Sequence, residues 1–310
     1  MIEITTRKGA IRLSLVFPIM HMFWKHVKHT DDVRLAKQTE PQGIARVYDL
    51  PYLDDGDRYH QLDVYYPEEN DGKLPVIIDV HGGGWMYGDK ELNRMYCLNL
   101  AKRGYLVFNM SYRLCPAVTI PEQLQDVMAA MCWIEQHIAE YPCDPGKILL
   151  TGDSAGAQLA SFTAALLTSE TLREVFRVPA CGLKLTALGL VSPVVYLNAG
   201  GYMGVYTTRM WGADYRQQPT YPFMNLDALL PLAKMPPTFL VASSGDFMAK
   251  EQARRAYADF RAQDIPVTLM DFPTFEGEDL PHVFSVIYPE SKAGVMAIEG
   301  MLKVFTDAMS

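Results

Sequence analysis

A serine flanked by glycines lies where an apolar, strand-like segment meets a helical one. Residues 147–151 are strand-like, Gly152-Asp153-Ser154-Ala155-Gly156 follows, and residues 158–167 have the composition of a helix. A G-x-S-x-G between a strand and a helix makes a sharp turn that exposes the serine, and its glycines leave room for neighbouring backbone. The five residues alone also fit a structural glycine–serine turn. In this context we interpret Ser154 as a nucleophile.

A serine hydroxyl needs a base to remove its proton, and that base is commonly a histidine oriented by a carboxylate. When the serine lies on such a turn, the acid and then the histidine follow it in the chain. His282 satisfies this order, because the other six of the seven histidines precede Ser154. The alternative is a surface histidine without a role. We predict that His282 is the base.

Several aspartates could orient this histidine. Asp246 comes soon after the strand-like segment 238–242, and catalytic groups of open α/β sheets collect at the carboxyl ends of strands. We therefore favour Asp246 as the acid, against the alternative of a helix N-cap. The other candidates lie within a strand, close to the histidine or in a poorly patterned insertion: Asp271, Asp279, Asp214 and Asp227.

A second glycine-rich segment, Gly82-Gly83-Gly84, comes soon after the buried strand-like residues 76–80. Backbone N–H groups in such a loop can approach a carbonyl oxygen without a Cβ clash and stabilise the negative charge that develops on it. The N–H of Ala155 would complete this set of donors. A plain glycine turn is the alternative, but its pairing with the serine turn favours an oxyanion loop.

Strand and helix patterns alternate along most of the chain. Strands are predicted at 59–67, 76–80, 106–110, 148–151, 185–191, 238–242 and 267–272, and helices at 93–103, 121–141, 158–167, 250–263 and 291–308. This order predicts an α/β fold with a mostly parallel sheet and helices on both faces. Since no hydrophilic linker divides the chain, residues 1–310 are expected to form one domain.

Composition and charge exclude several functions. With a net charge of −8, the chain would repel a phosphate backbone, which argues against nucleic acid as a partner. Its five scattered cysteines are typical of free thiols in a cytoplasm, and no metal-binding pattern occurs. The apolar stretch 11–27 is interrupted by charged residues and a proline, and falls short of the ~20 residues of a membrane span. We expect it to pack on the protein itself, with a membrane anchor as the alternative.

The motifs together resemble those of one family. His81-Gly82-Gly83-Gly84 and Gly152-Asp153-Ser154-Ala155-Gly156 are similar to the HGGG and GDSAG motifs of the hormone-sensitive-lipase-like family of α/β-hydrolase carboxylesterases. Further matching segments are 62–67, 111–116 and 281–284, and the resemblance covers about residues 44 to 290. Two positions depart from it: Ala117 replaces a glutamate, and Asp246-Phe247-Met248 replaces the common Asp-Pro-Leu.

The resemblance implies an α/β-hydrolase fold and a serine esterase without cofactor or metal. It implies that Ser154 is the nucleophile, Asp246 the acid, His282 the base, and Gly83, Gly84 and Ala155 the oxyanion donors, with His81 bracing the glycine loop. It also implies a cap formed by N-terminal helices and an insertion before the acid. Residues 1–43 and 196–234 fit these two roles.

Aromatic side chains near the glycine loop and in the insertion could line a pocket for the acyl or alcohol group: Trp85, Tyr87, Tyr206 and Trp211. Each could instead belong to the core of the cap. The family resemblance implies small-molecule esters with short to medium acyl chains as substrates. A deacetylase of sugars or xenobiotics, a serine peptidase and a binding module that has lost catalysis are the alternatives. Acyl length, alcohol and oligomeric state, a homodimer included, are left open.

Overall fold

A computed structural model describes residues 22–197 and 207–310, which surround an eight-stranded sheet. Its strands are β1 Ile44–Pro51, β2 Gln61–Pro67, β3 Leu74–Val80, β4 Leu106–Met110, β5 Cys143–Asp153, β6 Ala187–Val191, β7 Thr238–Ser243 and β8 Val267–Phe272. They lie in the order β1-β2-β4-β3-β5-β6-β7-β8. The β1–β2 and β2–β4 pairs are antiparallel and the remaining pairs are parallel. The prediction of a mostly parallel sheet is confirmed.

Strand β1 was not predicted from the sequence. It lies at the edge of the sheet, and most of its side chains are partly or fully exposed. Its pairing with β2 shifts register between Val47 and Leu50, where Asp49 has a φ of 56°. An irregular edge strand of this kind shows little of the two-residue hydrophobic period on which a strand prediction depends.

Helices cover both faces of the sheet. They are α1 22–35, α2 Arg94–Lys102, α3 Ile120–His137, α4 Ala155–Thr168, α5 Glu170–Phe176, α6 207–210, α7 Lys250–Ala262, α8 Phe284–Ile287 and α9 Lys292–Ala308. The start of α3 shows how sequence sets a boundary. The N–H of Thr119 donates to the Glu122 carboxylate at 2.7 Å, and Pro121 lies in the first turn, where its missing N–H costs nothing.

Two hydrophobic cores form because alternate strand residues point to opposite faces. On β3, Val76 and Ile78 belong to the core that packs against α3, α4, α5 and α7. Ile77, between them, belongs to the core under α2, α8 and α9. Burial on both faces explains the continuous apolar sequences of the central strands.

The two predicted cap segments are described in part. Helix α1 belongs to the first, 1–43, and α6 with a series of short 3₁₀ turns belongs to the second, 196–234. Residues 1–21 and 198–206 lie outside the described residues, and so does the larger part of the apolar stretch 11–27. Within the described ranges, none of the helices combines the length and apolar character needed to cross a bilayer.

Asp126 of α3 connects the helix layer to the loop after β4 and to the loop before β2. Its carboxylate accepts hydrogen bonds from the Arg113 backbone N–H at 3.0 Å and from Nε and Nη2 of the same residue at 2.9 and 2.5 Å. It also lies 3.3 Å from Nε2 of buried His60, and its own side chain is 2% exposed.

We expect Asp126→Ala to lower the free energy of unfolding by about 3 kcal/mol, because it leaves the partly buried backbone and guanidinium donors of Arg113 without their acceptor. Urea denaturation followed by circular dichroism measures this change. The exposed pair Lys303–Asp307 supplies the control, since Asp307→Ala should cost under about 1 kcal/mol. Equal losses in the two variants would contradict this role for Asp126.

Candidate active site

Ser154 lies on the turn between β5 and α4, with φ 52° and ψ −114°. This conformation is strained for a residue with a side chain. Glycines beside it are required by close backbone contacts. A Cβ on Gly156 would overlap the carbonyl oxygens of Val80 and His81, and a Cβ on Gly152 would overlap that of Gly156. The turn therefore packs directly against the end of β3.

The structure brings together the three side chains predicted to form a triad. Nε2 of His282 lies 2.8 Å from Oγ of Ser154. Nδ1 of the same ring lies 2.9 Å from Oδ2 of Asp246. The three groups follow β5, β7 and β8, at the carboxyl ends of parallel strands. Asp271, an alternative acid, instead accepts a hydrogen bond from Arg254 at 2.8 Å.

Asp246 is held by backbone donors as well as by the histidine. Its Oδ1 accepts from the N–H groups of Met248 at 3.0 Å and Ala249 at 2.8 Å. Burial alone would raise the pKa of Asp246, but the hydrogen bond and charge of His282 and the Ala249 N–H together lower it. The carboxylate is therefore ionised at neutral pH. The departure from Asp-Pro-Leu leaves these donors in place, and Phe247 points to solvent, 85% exposed.

The loop that carries His282 is fixed on both sides of the ring. The N–H of Val283, which has a φ of 54°, donates to Oγ of Ser192 at 3.1 Å. Before the histidine, the Ser243 hydroxyl donates to the carbonyl oxygen of Leu280 at 2.6 Å. These contacts tie the loop to the ends of β6 and β7, which limits the movement of the ring.

One N–H of the glycine loop is held by a side chain of the serine turn. The N–H of Gly82 donates to Oδ1 of Asp153 at 2.9 Å. Gly83 and Gly84 follow with φ values of 105° and 58°. Ala155 is the first residue of α4, where N–H groups have no partner within the helix. Gly82 is thus tied to the serine turn, and the amides of Gly83, Gly84 and Ala155 are the predicted oxyanion donors.

His81 is buried beside this loop and contacts its backbone. Its ring stacks on Tyr112, with centroids 4.3 Å apart, and its Nδ1 donates to the carbonyl oxygen of Gly82 at 2.7 Å. Burial lowers the pKa of His81 to about 4, so that the ring is neutral at pH 7. This geometry matches the bracing role implied by the family resemblance.

A buried pair of carboxyl groups lies behind the loop. Nδ2 of Asn93 donates to both Asp79 Oδ2 and Asp153 Oδ1 at 2.8 Å. Burial, and then the charge of Asp153, raise the pKa of Asp79 to about 8. Burial also raises the pKa of Asp153, against the hydrogen bond from Asn93. Asn93 therefore joins a protonated Asp79 to the carboxyl group that anchors Gly82.

The side chains of Ser154 and His282 face a cavity of about 620 Å³. Ser154, His282 and the three loop glycines line it, with mainly apolar side chains such as Phe23, Trp24, Val27, Met86, Met210 and Val286. Helix α1 supplies one wall of the cavity, although none of its residues was predicted from the sequence to line the site. Within 22–197 and 207–310, no group of three or more His, Cys, Asp or Glu side chains is arranged to hold a metal ion.

The four predicted substrate-binding aromatics have different positions. Trp85 and Tyr87 line the cavity. The structure places Trp211 in the hydrophobic core, 3% exposed, and among the described residues the neighbouring Met210 reaches the cavity wall in its place. The Trp211 indole packs into the core, whereas the flexible Met210 side chain fills the edge of the cavity. Tyr206 lies outside the described residues.

The buried acid pair predicts a pH dependence of stability. Between about pH 4 and pH 8 the folded protein keeps the Asp79 proton, whereas an unfolded chain with the usual pKa of 3.8 has lost it. Stability contributed by this site therefore falls as pH rises through that window. We expect Asp79→Asn, which cannot ionise, to lose less thermal stability than the wild type between pH 5.5 and 8.5. Calorimetry at several pH values, with Asp307→Asn as an exposed control, checks this. Parallel profiles for Asp79→Asn and wild type would contradict it.

Known proteins match this chain in two ways: a family model matches part of it, and solved structures match nearly all of it. A family model described as BD-FAE matches residues 62–178. Esterase B from Lactobacillus rhamnosis (HN001) has a solved structure that is 30% identical, covers 96% of each chain and has a TM-score of 0.90. A bacterial heroin esterase, 21% identical with a TM-score of 0.69, shares the fold.

Curated relatives match over shorter lengths. The probable isoprenylcysteine alpha-carbonyl methylesterase ICMEL1 of Arabidopsis thaliana is 28% identical over 64% of this chain and 44% of its own. The probable carboxylic ester hydrolase LipM of Mycobacterium tuberculosis is 34% identical over 42% of this chain and 32% of its own. The chain thus spans a third to a half of the length of these two relatives. Esterase B, by contrast, matches in sequence and fold over 96% of each chain. The protein therefore belongs to the hormone-sensitive-lipase-like family of α/β-hydrolase carboxylesterases, a family of ester-bond hydrolases.

Proposed function

We propose that the protein hydrolyses short- to medium-chain carboxylic esters through an acyl-enzyme, with Ser154 as nucleophile, His282 as base and Asp246 as the acid that orients it. The observation that carries this proposal is the histidine between the other two, 2.8 Å from the serine hydroxyl and 2.9 Å from the buried carboxylate. Such a histidine can take a proton at Nε2 while Nδ1–H holds its tautomer and orientation.

In the first step, Ser154 Oγ forms a bond to the ester carbonyl carbon as Nε2 of His282 accepts the hydroxyl proton. The ionised Asp246 stabilises the imidazolium that results, without taking its proton. The carbonyl oxygen becomes an oxyanion. When the tetrahedral intermediate collapses, the bond to the alcohol oxygen breaks, and His282 donates its proton to that leaving group.

The oxyanion is stabilised by the N–H groups of Gly83, Gly84 and Ala155. Support for this role comes from Gly82, whose N–H bond to Asp153 fixes the start of the loop. Helix α4 begins at Ala155 and adds the positive end of its dipole at the same place. In the second step, His282 removes a proton from water, which attacks the acyl-enzyme, and the acid is released as Ser154 regains its proton.

The cavity suits the acyl chain of a small-molecule ester. Its volume of about 620 Å³ lies within the usual range for small-molecule sites, and its walls are mainly apolar. Structures of the related esterase B are described as C6-C4 SN3 inhibited and as inhibited by a C4-C4 SN3 tributyrin phosphonate. By analogy, acyl groups of about this length are the proposed substrates here.

The five cysteines are free thiols, which supports the proposal of a cytoplasmic location.

The test is turnover of p-nitrophenyl esters from acetate to palmitate, with peptide substrates assayed in parallel. We expect the highest kcat/KM for acyl chains of two to about eight carbons, a range that includes the C4 and C6 groups in the names of the esterase B inhibitors and suits a site of small-molecule size. A preference for palmitate would contradict the proposed chain length. Turnover of peptides without turnover of esters would contradict the proposed reaction.

The triad has its own prediction. Ser154→Ala and Asp246→Asn should each lower kcat by about 10³-fold or more, because neither leaves an activated nucleophile. Asp279→Asn is the matched control, since this aspartate is close to His282 in sequence but its side chain is exposed. Steady-state kinetics on p-nitrophenyl butyrate measures all three variants. If Asp279→Asn were impaired and Asp246→Asn active, the assignment of the acid would be wrong.

A further inference from the structure

Helix α1 contacts the glycine loop through residues on one of its faces. The Trp24 and Tyr87 rings are stacked, with centroids 5.5 Å apart and planes inclined by 22°. Two helical turns further along, Asp31 Oδ2 accepts a hydrogen bond from the Tyr87 hydroxyl at 3.2 Å. One loop side chain therefore meets the cap helix at two points, a ring stack and a polar contact.

Trp24 also contacts the loop backbone. A Cβ built on Gly84 would lie 2.7 Å from both Cζ2 and Cη2 of Trp24, so the indole edge occupies the space directly over the Gly84 Cα. Gly84 has a φ of 58°, in the region where glycine is favoured. The absence of a side chain at this position is what allows the ring to approach the backbone.

The loop is anchored by hydrogen bonds on each side of Gly84. Before it, the carbonyl oxygen of Gly83 accepts from the N–H groups of Met86 at 3.2 Å and Tyr87 at 3.0 Å. After it, the carbonyl oxygen of Trp85 accepts from the Cys115 N–H and from Gln123 Nε2, both at 2.8 Å. Gly84 lies between these anchors, and Trp24 covers it from the cap side.

The hydrogen bond between Tyr87 and Asp31 is held in place by Arg34. Arg34 donates to Asp31 Oδ1 through Nε at 3.3 Å and Nη2 at 3.0 Å, and the two side chains are 14% and 19% exposed. Burial and the negative charge of Asp31 raise the pKa of Tyr87, so its hydroxyl keeps the proton that it donates. Tyr87 is therefore fixed relative to α1 at both its ring and its hydroxyl group.

We propose that Trp24 is a positioning residue for catalysis, whose indole ring, stacked on Tyr87 and in contact with Gly84, holds the Gly84 amide in the place where it meets the oxyanion. The proposal rests on the function proposed above and adds to it a residue outside the α/β core. It explains why the cap helix contacts the loop in addition to closing the cavity. Since the oxyanion exists only after attack on the carbonyl, a displaced donor weakens the transition state more than substrate binding.

The effect therefore separates kcat from KM. Complete loss of one oxyanion donor lowers kcat by about 10²- to 10³-fold, and we expect Trp24→Ala, which only releases a donor, to lower it about 10- to 100-fold. KM for p-nitrophenyl acetate should change by less than about threefold, because this small ester makes little use of the cavity wall. Trp24→Phe keeps a ring over Tyr87 and should retain most of kcat. Val33→Ala, on an exposed part of α1, is the matched control.

An inhibitor gives the readout that a wall residue would not affect. A trifluoromethyl ketone adds reversibly to the serine hydroxyl and leaves an oxyanion in place of its carbonyl. Across wild type, Trp24→Phe, Tyr87→Phe and Trp24→Ala, its inhibition constant should rise in proportion to the fall in kcat, which a loss of wall contacts would leave unchanged. Tyr87→Phe, which keeps the stack but loses the bond to Asp31, should lie between wild type and Trp24→Ala.

Each outcome decides the proposal. A rise in KM at unchanged kcat in Trp24→Ala, or an inhibition constant independent of the variant, would show that the ring is only a wall and overturn this inference alone. A wild type that hydrolyses no ester and does not react with the ketone would overturn the proposed function and this inference with it. If Trp24→Ala fails to fold by circular dichroism, the same proportionality among wild type, Trp24→Phe and Tyr87→Phe remains the deciding measurement.

Discussion

The close contact between the serine turn and the end of β3 is the constraint on which the rest of the site depends. Strands β3 and β5 are parallel neighbours, with Val80 paired to Gly152 at their carboxyl ends. The chain that leaves β3 becomes the glycine loop, and the chain that leaves β5 becomes the serine turn. Gly156 can lie against the Val80 and His81 carbonyls only because it lacks a Cβ. This contact brings the serine turn and the glycine loop, which carry the proposed nucleophile and oxyanion donors, together on a shared backbone framework.

Asp153 makes that framework specific, at a cost in stability. Its carboxyl group takes the Gly82 N–H and so sets where the following amides begin. Yet it lies beside Asp79 in a buried region, where ionising both carboxyl groups is unfavourable and Asp79 therefore keeps its proton. Asn93 offsets part of this cost by donating to both groups. Together with the strained backbone at Ser154, this concentrates unfavourable features at the site, which the two hydrophobic cores must stabilise.

Much of the fold and of the triad could be predicted because both leave local traces in the sequence. Buried strands have continuous apolar runs, and their ends are where Asp246 and His282 were expected. The bond from Gly82 to Asp153 left no such trace, because it depends on β3 and β5 being neighbours. Short helices α5 and α8 and the irregular edge strand β1 were missed for want of a long periodic pattern. The position of Trp211 was open for a related reason, since neither composition nor spacing distinguishes an aromatic residue in a core from one on a cavity wall.

The site residues that the sequence could predict and those that it could not are held in place by different kinds of contact. Core parts of the site are held by backbone contacts, which require glycine or a particular conformation and therefore restrict the sequence at fixed positions. The parts supplied by helix α1 are held by side-chain packing, which many sequences can satisfy, so Phe23, Trp24 and Val27 carry no motif although they face the same cavity. Trp24 belongs to both groups, because its packing partner is the bare backbone of Gly84. The missing Cβ that gives the Gly84 amide its freedom also gives room to the Trp24 ring, so helix α1 touches the glycine loop directly at this point.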